Sequence, residues 1–320
     1  MKDLLNQFLK DIPPHAVEGL DLDYELTEAF QQEKLQKLDQ MEGFSQLKEL
    51  SVAGHALEEL PALAKLPMLQ TLNLSQNALY DVEDFPALRA LESLNLSYNE
   101  LESFSPQTRF LQLRWLNLAH NYLSDTLQLT PLPQLQWLNL SGNRRWRNLE
   151  ALRPLTQLHT LFVRGLFIDN WQVLHALPRL RALHLTLTSA EALESLGGLP
   201  QLEHLHLSLN RFQGKLHLPA FVHLKNLSMK KAMRLEALEG LNQLRTLEEL
   251  DLSANGLPVL PDLQGLLALK KLNLRGNELK HLENFPELPK LELLDLRDNP
   301  WQAELIPALK ARFAHLKLLL

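Results

Sequence analysis

The stretch WLNLAHN, residues 115–121, returns as WLNLSGN at residues 137–143, 22 residues later. Both copies sit in a longer frame, L-x-x-L-x-L-x-x-N-x-L, which opens at Leu113 and Leu135. The same frame opens earlier at Leu47, Leu69 and Leu91, and later at Leu158, Leu180, Leu202, Leu224, Leu247, Leu269 and Leu291. The steps are 22 residues, with 23 after Leu135 and after Leu224. Self-similarity at a fixed short period marks a chain built of stacked repeats.

The chemistry of one repeat predicts its shape. In L-x-x-L-x-L the period-2 part makes a short strand with its leucines turned inward. The asparagine then turns the chain, and its amide bonds the backbone of the adjacent coil. Beyond it, apolar residues fall every third position: Val82, Phe85 and Leu88 after Leu79; Trp171, Leu174 and Leu177 after Ile168; Leu260, Leu263 and Leu266 after Leu257. That spacing predicts short helical or 3-10 turns. One repeat cannot bury its own leucines, whereas stacked repeats share a continuous core. The expected fold is an α/β solenoid, a horseshoe with a parallel sheet on the concave face and helical or 3-10 segments on the convex face.

The frame and its period-3 return resemble the SDS22-like subclass of leucine-rich repeat proteins, over residues 47–301. The resemblance implies a non-enzymatic, bacterial regulator or inhibitor of another protein, and it transfers no partner. The ends are expected to be caps. Residues 1–46 read as an acidic N-terminal cap, with a degenerate strand at Val17-x-x-Leu20-x-Leu22 and an amphipathic helix over 26–40. Residues 302–320 read as a C-terminal cap, helical over 303–312 with a last strand at 316–318. The whole is expected to form one continuous domain.

Composition narrows the function. The chain has 320 residues, a net charge of −6 and no cysteine. Residues 1–46 hold ten acidic against four basic residues, so the remainder is neutral overall. A dedicated polyanion binder is usually more basic. Absence of cysteine excludes disulfides and cysteine-held zinc, and it favours a reducing, cytoplasmic setting. The N-terminal MKDLLNQFLKDIPP is not expected to act as a signal peptide. With no run of about 18 apolar residues, no membrane span is expected. No phosphate-cradling glycine motif is present.

Functional information should lie where the repeat is free to vary. These are the third, fifth and seventh positions of each repeat, facing away from the core, and the eighth and tenth at the strand exit. Early repeats carry small or polar residues there: Ser51, Thr71, Asn73, Ser93, Asn95. From the third repeat the character changes. Tyr98, Trp115, His120, Tyr122, Trp137, Arg144, Phe162, Arg164 and Phe167 all fall on display positions, followed by His184, His204, His206, Arg211 and Lys230. Aromatics and arginine are the types enriched at binding hot spots. Residues 141–190 hold seven arginines against two acids. The expected partner is a protein with an acidic or mixed surface. A nucleic acid or other polyanion held by the basic aromatic centre is the alternative. A metal-dependent enzyme using His184, His204 and His206 is a third class, with no acidic orienter evident. No catalytic residue, metal or cofactor is assigned, and the oligomeric state is not legible.

Overall fold

A computed structural model describes residues 13–23, 41, 43–58, 60–83, 85–106, 109–125, 128–186, 189–207, 212, 214–231, 235–282 and 284–320. The chain forms two compact units, Met1–Asp169 and Asn170–Leu320. The helix expected over 26–40 lies outside the described residues.

The first unit carries seven short strands: β1 (Gly19–Asp21), β2 (Glu49–Ser51), β3 (Thr71–Asn73), β4 (Ser93–Asn95), β5 (Trp115–Asn117), β6 (Trp137–Asn139) and β7 (Thr160–Val163). Each pairs in parallel with the next, leucine opposite leucine: Leu20 with Leu50, Leu94 with Leu116, Leu138 with Leu161. Strand β1 falls within residues 17–22. These central leucines are buried, and so are the leucines or valines two residues beyond them, while the strand residues beside them stay half-buried or exposed. The period-2 pattern thus sets which face of the sheet is core.

The asparagines tie coil to coil. Asn77 Nδ2 donates to the carbonyls of Val52 (2.8 Å) and Leu74 (3.1 Å), and its Oδ1 accepts the Leu57 amide (3.1 Å). Asn99, Asn121 and Asn143 repeat the pattern. In the first repeat the position belongs to His55, which is buried and donates from Nε2 to the Leu22 carbonyl at 2.8 Å. Imidazole replaces amide there because it too can carry a proton to a buried carbonyl. In the sixth repeat Leu166 fills the position as an apolar core residue.

The second unit carries β8 (Ala182–Leu185), β9 (His204–His206), β10 (Gly214–His217), β11 (Asn226–Ser228), β12 (Leu235–Glu239), β13 (Glu249–Asp251), β14 (Lys271–Asn273), β15 (Leu293–Asp295) and β16 (Lys317–Leu319). The repeat strands β8, β9, β11, β13, β14, β15 and β16 pair in parallel in that order. Between the strands run 3-10 turns, such as Pro61–Lys65 in the first unit and Gln172–Ala176 in the second. Two successive return segments depart from the expectation. Strands β10 and β12 form a second, two-stranded parallel sheet in place of helical turns. Leu216 and Leu218 alternate with exposed Lys215 and His217, so the local period is 2 rather than 3.

After β15 the chain forms a 3-10 turn (Ala303–Leu305) running into a helix (Ile306–Arg312). Its closing strand begins at Lys317, one residue later than expected. Arg312 fastens the helix by donating to the carbonyls of Leu282 (3.0 Å) and Phe285 (2.8 Å). Among the described residues, no helix is long and apolar enough to cross a membrane.

Candidate functional site

On the open face of the first unit's sheet, β5 and β6 pair with Trp115 opposite Trp137. Strands about 4.8 Å apart bring like positions within stacking distance. The two indoles lie face to face, centroids 4.4 Å apart and planes within 13°. Both are half-buried. Phe162 of β7 extends the group, 5.0 Å from Trp137 and tilted by 46°. Both faces of Trp137 are thus occupied, whereas the outer face of Trp115 looks over Ser93 of β4.

A second stack lies at the strand exits. Tyr98 and His120 are parallel at 4.3 Å, both exposed. They occupy the eighth position of their repeats, where the backbone is left-handed: φ is 57° at Tyr98 and 55° at His120. The His120 ring lies over Gly142, so close that a Cβ there would fall 2.7 Å from Nδ1.

Cations line the rim. The Arg145 guanidinium sits 5.6 Å above the Tyr122 ring and pairs with Glu102 at 3.4 Å. Arg147 sits 5.8 Å above Phe167. Arg144 is exposed and has no carboxylate partner among the described residues. Arg164 is half-buried, and burial pushes its guanidinium below the ordinary arginine range. Arg145 and Arg147 were not among the sequence candidates. Their signal was present, since Arg145 follows Tyr122 by one repeat length plus one. The exposed Tyr80 was also missed.

Within the second unit, the rings of His184 and His206 are parallel at 4.0 Å, and His204 shares their strand face, two residues before His206. Among the described residues no three His, Cys, Asp or Glu side chains are placed to hold a metal ion. Lys230 is exposed just beyond β11, and Arg211 lies outside the described residues. The other tryptophans serve the fold: Trp146 and Trp171 are buried, and Trp301 donates its indole N–H to the Leu296 carbonyl at 2.9 Å.

Comparisons with known proteins agree with this architecture. Residues 245–300 match the family model described as leucine rich repeat. No curated protein sequence matches the chain. Among solved structures, the chain is similar to a leucine-rich repeat protein of Leptospira interrogans, with 22% identity, 98% of each chain covered and a TM-score of 0.62. An internalin of Listeria monocytogenes is 19% identical over 98% of this chain and 92% of that one, with a TM-score of 0.59. Toll in its complex with Spatzle, from Drosophila, is 21% identical over 80% of this chain and 37% of that one, with a TM-score of 0.65. At these identities the likeness concerns the fold. By that match and by its architecture, the chain is built of leucine-rich repeats.

Proposed function

We propose that this chain is a non-enzymatic recognition scaffold that holds a partner protein on the open sheet face of its third to sixth repeats. The observation that carries the reading is the Trp115–Trp137 stack. Two large apolar rings stand on the one face that needs no hydrophobe to fold, at a position where neighbouring repeats use Ser93 and Thr160. An accessible aromatic group rimmed by arginines is what binding surfaces present. The partner's matching surface is acidic or mixed. The same proposal includes membership of the SDS22-like subclass and a bacterial, cytoplasmic setting, supported by the 22-residue period and the cysteine-free composition.

A nucleic-acid strand is the competing occupant, because arginines and rings lie together. The stack argues against it. Successive bases need successive free ring faces, and Trp115, Trp137 and Phe162 cover one another. The test is affinity capture with the wild type and with a Trp115→Ala/Trp137→Ala double variant. Specific capture by the wild type that is lost in a folded double variant is the expected result. Equal capture by both would remove the site.

A further inference from the structure

A trough crosses β4, β5 and β6 on this face. Trp115 and Trp137 form one wall, at the third position of their repeats. Tyr98 and His120 form the other, at the eighth. The floor between them is small and polar: Asn95, Asn117 and Asn139 at the fifth position, then Ser97, Ala119 and Ser141 at the seventh. At β7 the floor rises into a step, because Phe162 and Arg164 take those two positions and Phe162 meets Trp137. Towards β3 the trough is open, with Thr71, Asn73 and Ser75 at the same places.

The floor presents donors. Each asparagine Oδ1 is used locally, accepting the backbone N–H two residues on: Ser97 at 3.1 Å, Ala119 at 3.1 Å and Ser141 at 3.0 Å. Those bonds fix each amide plane and turn its NH₂ away from the strand exit. In Asn73 that group reaches Ser51 Oγ on the preceding strand at 2.8 Å. In Asn95, Asn117 and Asn139 it has no acceptor among the described residues. Paired register sets the three groups about 4.8 Å apart, in a row along the trough. Arg144 at the rim and Arg164 at the step add positive charge. At the display positions of repeats three to six, Glu100 is the sole carboxylate.

Width selects the occupant's shape. The walls stand at the third and eighth positions, about 16 Å apart along an extended chain, and the rings on both sides take up several ångströms of that span. An α-helix with its side chains is about 10–12 Å across and does not fit between the walls. An extended chain does.

Resting on the recognition reading above, the geometry points to an extended, acidic segment of a partner protein as the occupant. It lies across β4–β6, stacks an aromatic side chain on the outer face of Trp115 above Ser93, and turns carboxylates to the asparagine amides, Arg144 and Arg164. The charge complementarity is direct, since a row of N–H donors that ends at the repeats carrying Arg144 and Arg164 leaves acceptors of negative charge as the matching chemistry.

The probe is a displayed library of random linear peptides, selected on the full chain. Expected are peptides that combine an aromatic residue with flanking Asp or Glu. Their affinity should fall by about tenfold or more on Trp115→Ala and on Asn117→Ala/Asn139→Ala, as at a hot spot. Replacing the peptide's acids with lysine should abolish binding. Ser93→Trp is the second variant, because it fills the shelf beside Trp115 with a ring that the repeat accepts at this position. It should block the peptides while leaving the melting temperature near the wild-type value. Failure to select any peptide, selection of basic or uncharged sequences, indifference to Ser93→Trp, or retention of a labelled single-stranded oligonucleotide in their place would each overturn the proposal. Tryptophan-dependent capture of a partner alongside an empty peptide selection would leave the scaffold reading standing and remove only the extended segment.

Discussion

The eighth residue of the repeat is where backbone strain and display coincide. Every described repeat from the first to the last is left-handed there, and glycine takes the position at Gly54, Gly142, Gly165 and Gly276. Tyr98 and His120 hold the same conformation with full side chains, at about 1–2 kcal/mol each. Neither ring enters the core, so the fold gains little in return. Tyr98→Gly and His120→Gly are therefore expected to leave thermal stability within about 1 kcal/mol of the wild type, or slightly above it, while weakening partner binding. Melting temperature and affinity measured on the same variants check this, and a collapse of stability would mark the rings as structural. Trp115→Ala and Trp137→Ala follow the same logic, since Ser93 and Thr160 serve the fold at the equivalent place. The expected loss of stability is within about 1 kcal/mol, the scale of an exposed cross-strand contact. The expected loss of binding is about 2 kcal/mol or more. Variants that unfold would return both tryptophans to the core and take the site with them.

Coil-to-coil bonding decides stability at the level of the repeat. Asn143 is fully buried, donates to the carbonyls of Leu118 (2.9 Å) and Leu140 (2.8 Å), and accepts the Leu123 amide. Asn143→Ala strands the Leu118 carbonyl and the Leu123 amide, leaves the Leu140 carbonyl only the Asn143 backbone N–H at 3.4 Å, and should destabilise by about 3 kcal/mol, read from denaturant unfolding. A loss under 1 kcal/mol, the scale of a surface change, would mean that water replaces the amide. Surface pairs bridge coils as well: Lys225 with Glu203 at 2.7 Å and Lys270 with Glu248 at 2.6 Å, each 22 residues apart. Hydrogen bonds from these lysines hold both carboxyls below the ordinary range. A carboxyl with a lowered folded-state pKa binds more protons when unfolded. Its contribution is therefore present above the unfolded value of about 4.3 and is lost as pH falls through the folded one. The melting temperature should drop between about pH 5 and pH 3, and less steeply in a Lys225→Gln/Lys270→Gln variant. An unchanged slope would show that other carboxylates dominate. At this scale the repeat strands were legible because leucine, replaced only by apolar residues such as Val52, Val163 and Met229, recurs at the core positions. His55 was not, since a buried histidine on a polar position looks like drift until its carbonyl partner is seen. Strands β10 and β12 were hidden for a related reason. Leu216 and Leu218 satisfy a period of 2 over too few residues to outweigh the period-3 expectation.

Over the whole chain, the residues that specify fold and the residues that specify partner are different sets, and that separation governs what the sequence discloses. Leucines repeated at one register fix the solenoid, whatever stands between them. Display positions are released from that constraint, so an aromatic such as Trp115 stands out against the Thr71 and Ser93 that would serve as well. What remained hidden is pairwise: that Tyr98 lies on His120, that His120 needs Gly142 beneath it, and that Arg145 covers Tyr122. Charge is segregated too, with the whole net −6 in residues 1–46 and arginines crowded into 141–190. This distribution separates the two kinds of occupant. A polyanion with six or more phosphates neutralised by the protein's cations loses about a thousandfold or more in affinity between 50 and 200 mM salt. A protein segment anchored by stacked rings, with only Arg144 and Arg164 as cations over the trough, should lose about tenfold or less across the same range, because ring burial is not screened. Trp115→Ala should then lower affinity by a similar factor at every salt concentration, whereas Arg144→Gln should matter mainly at the lowest. Titration of the captured partner against wild type and both variants across the salt series gives the answer. A steep salt slope combined with indifference to Trp115 would make this face an electrostatic platform and move the assignment from protein recognition to polyanion binding.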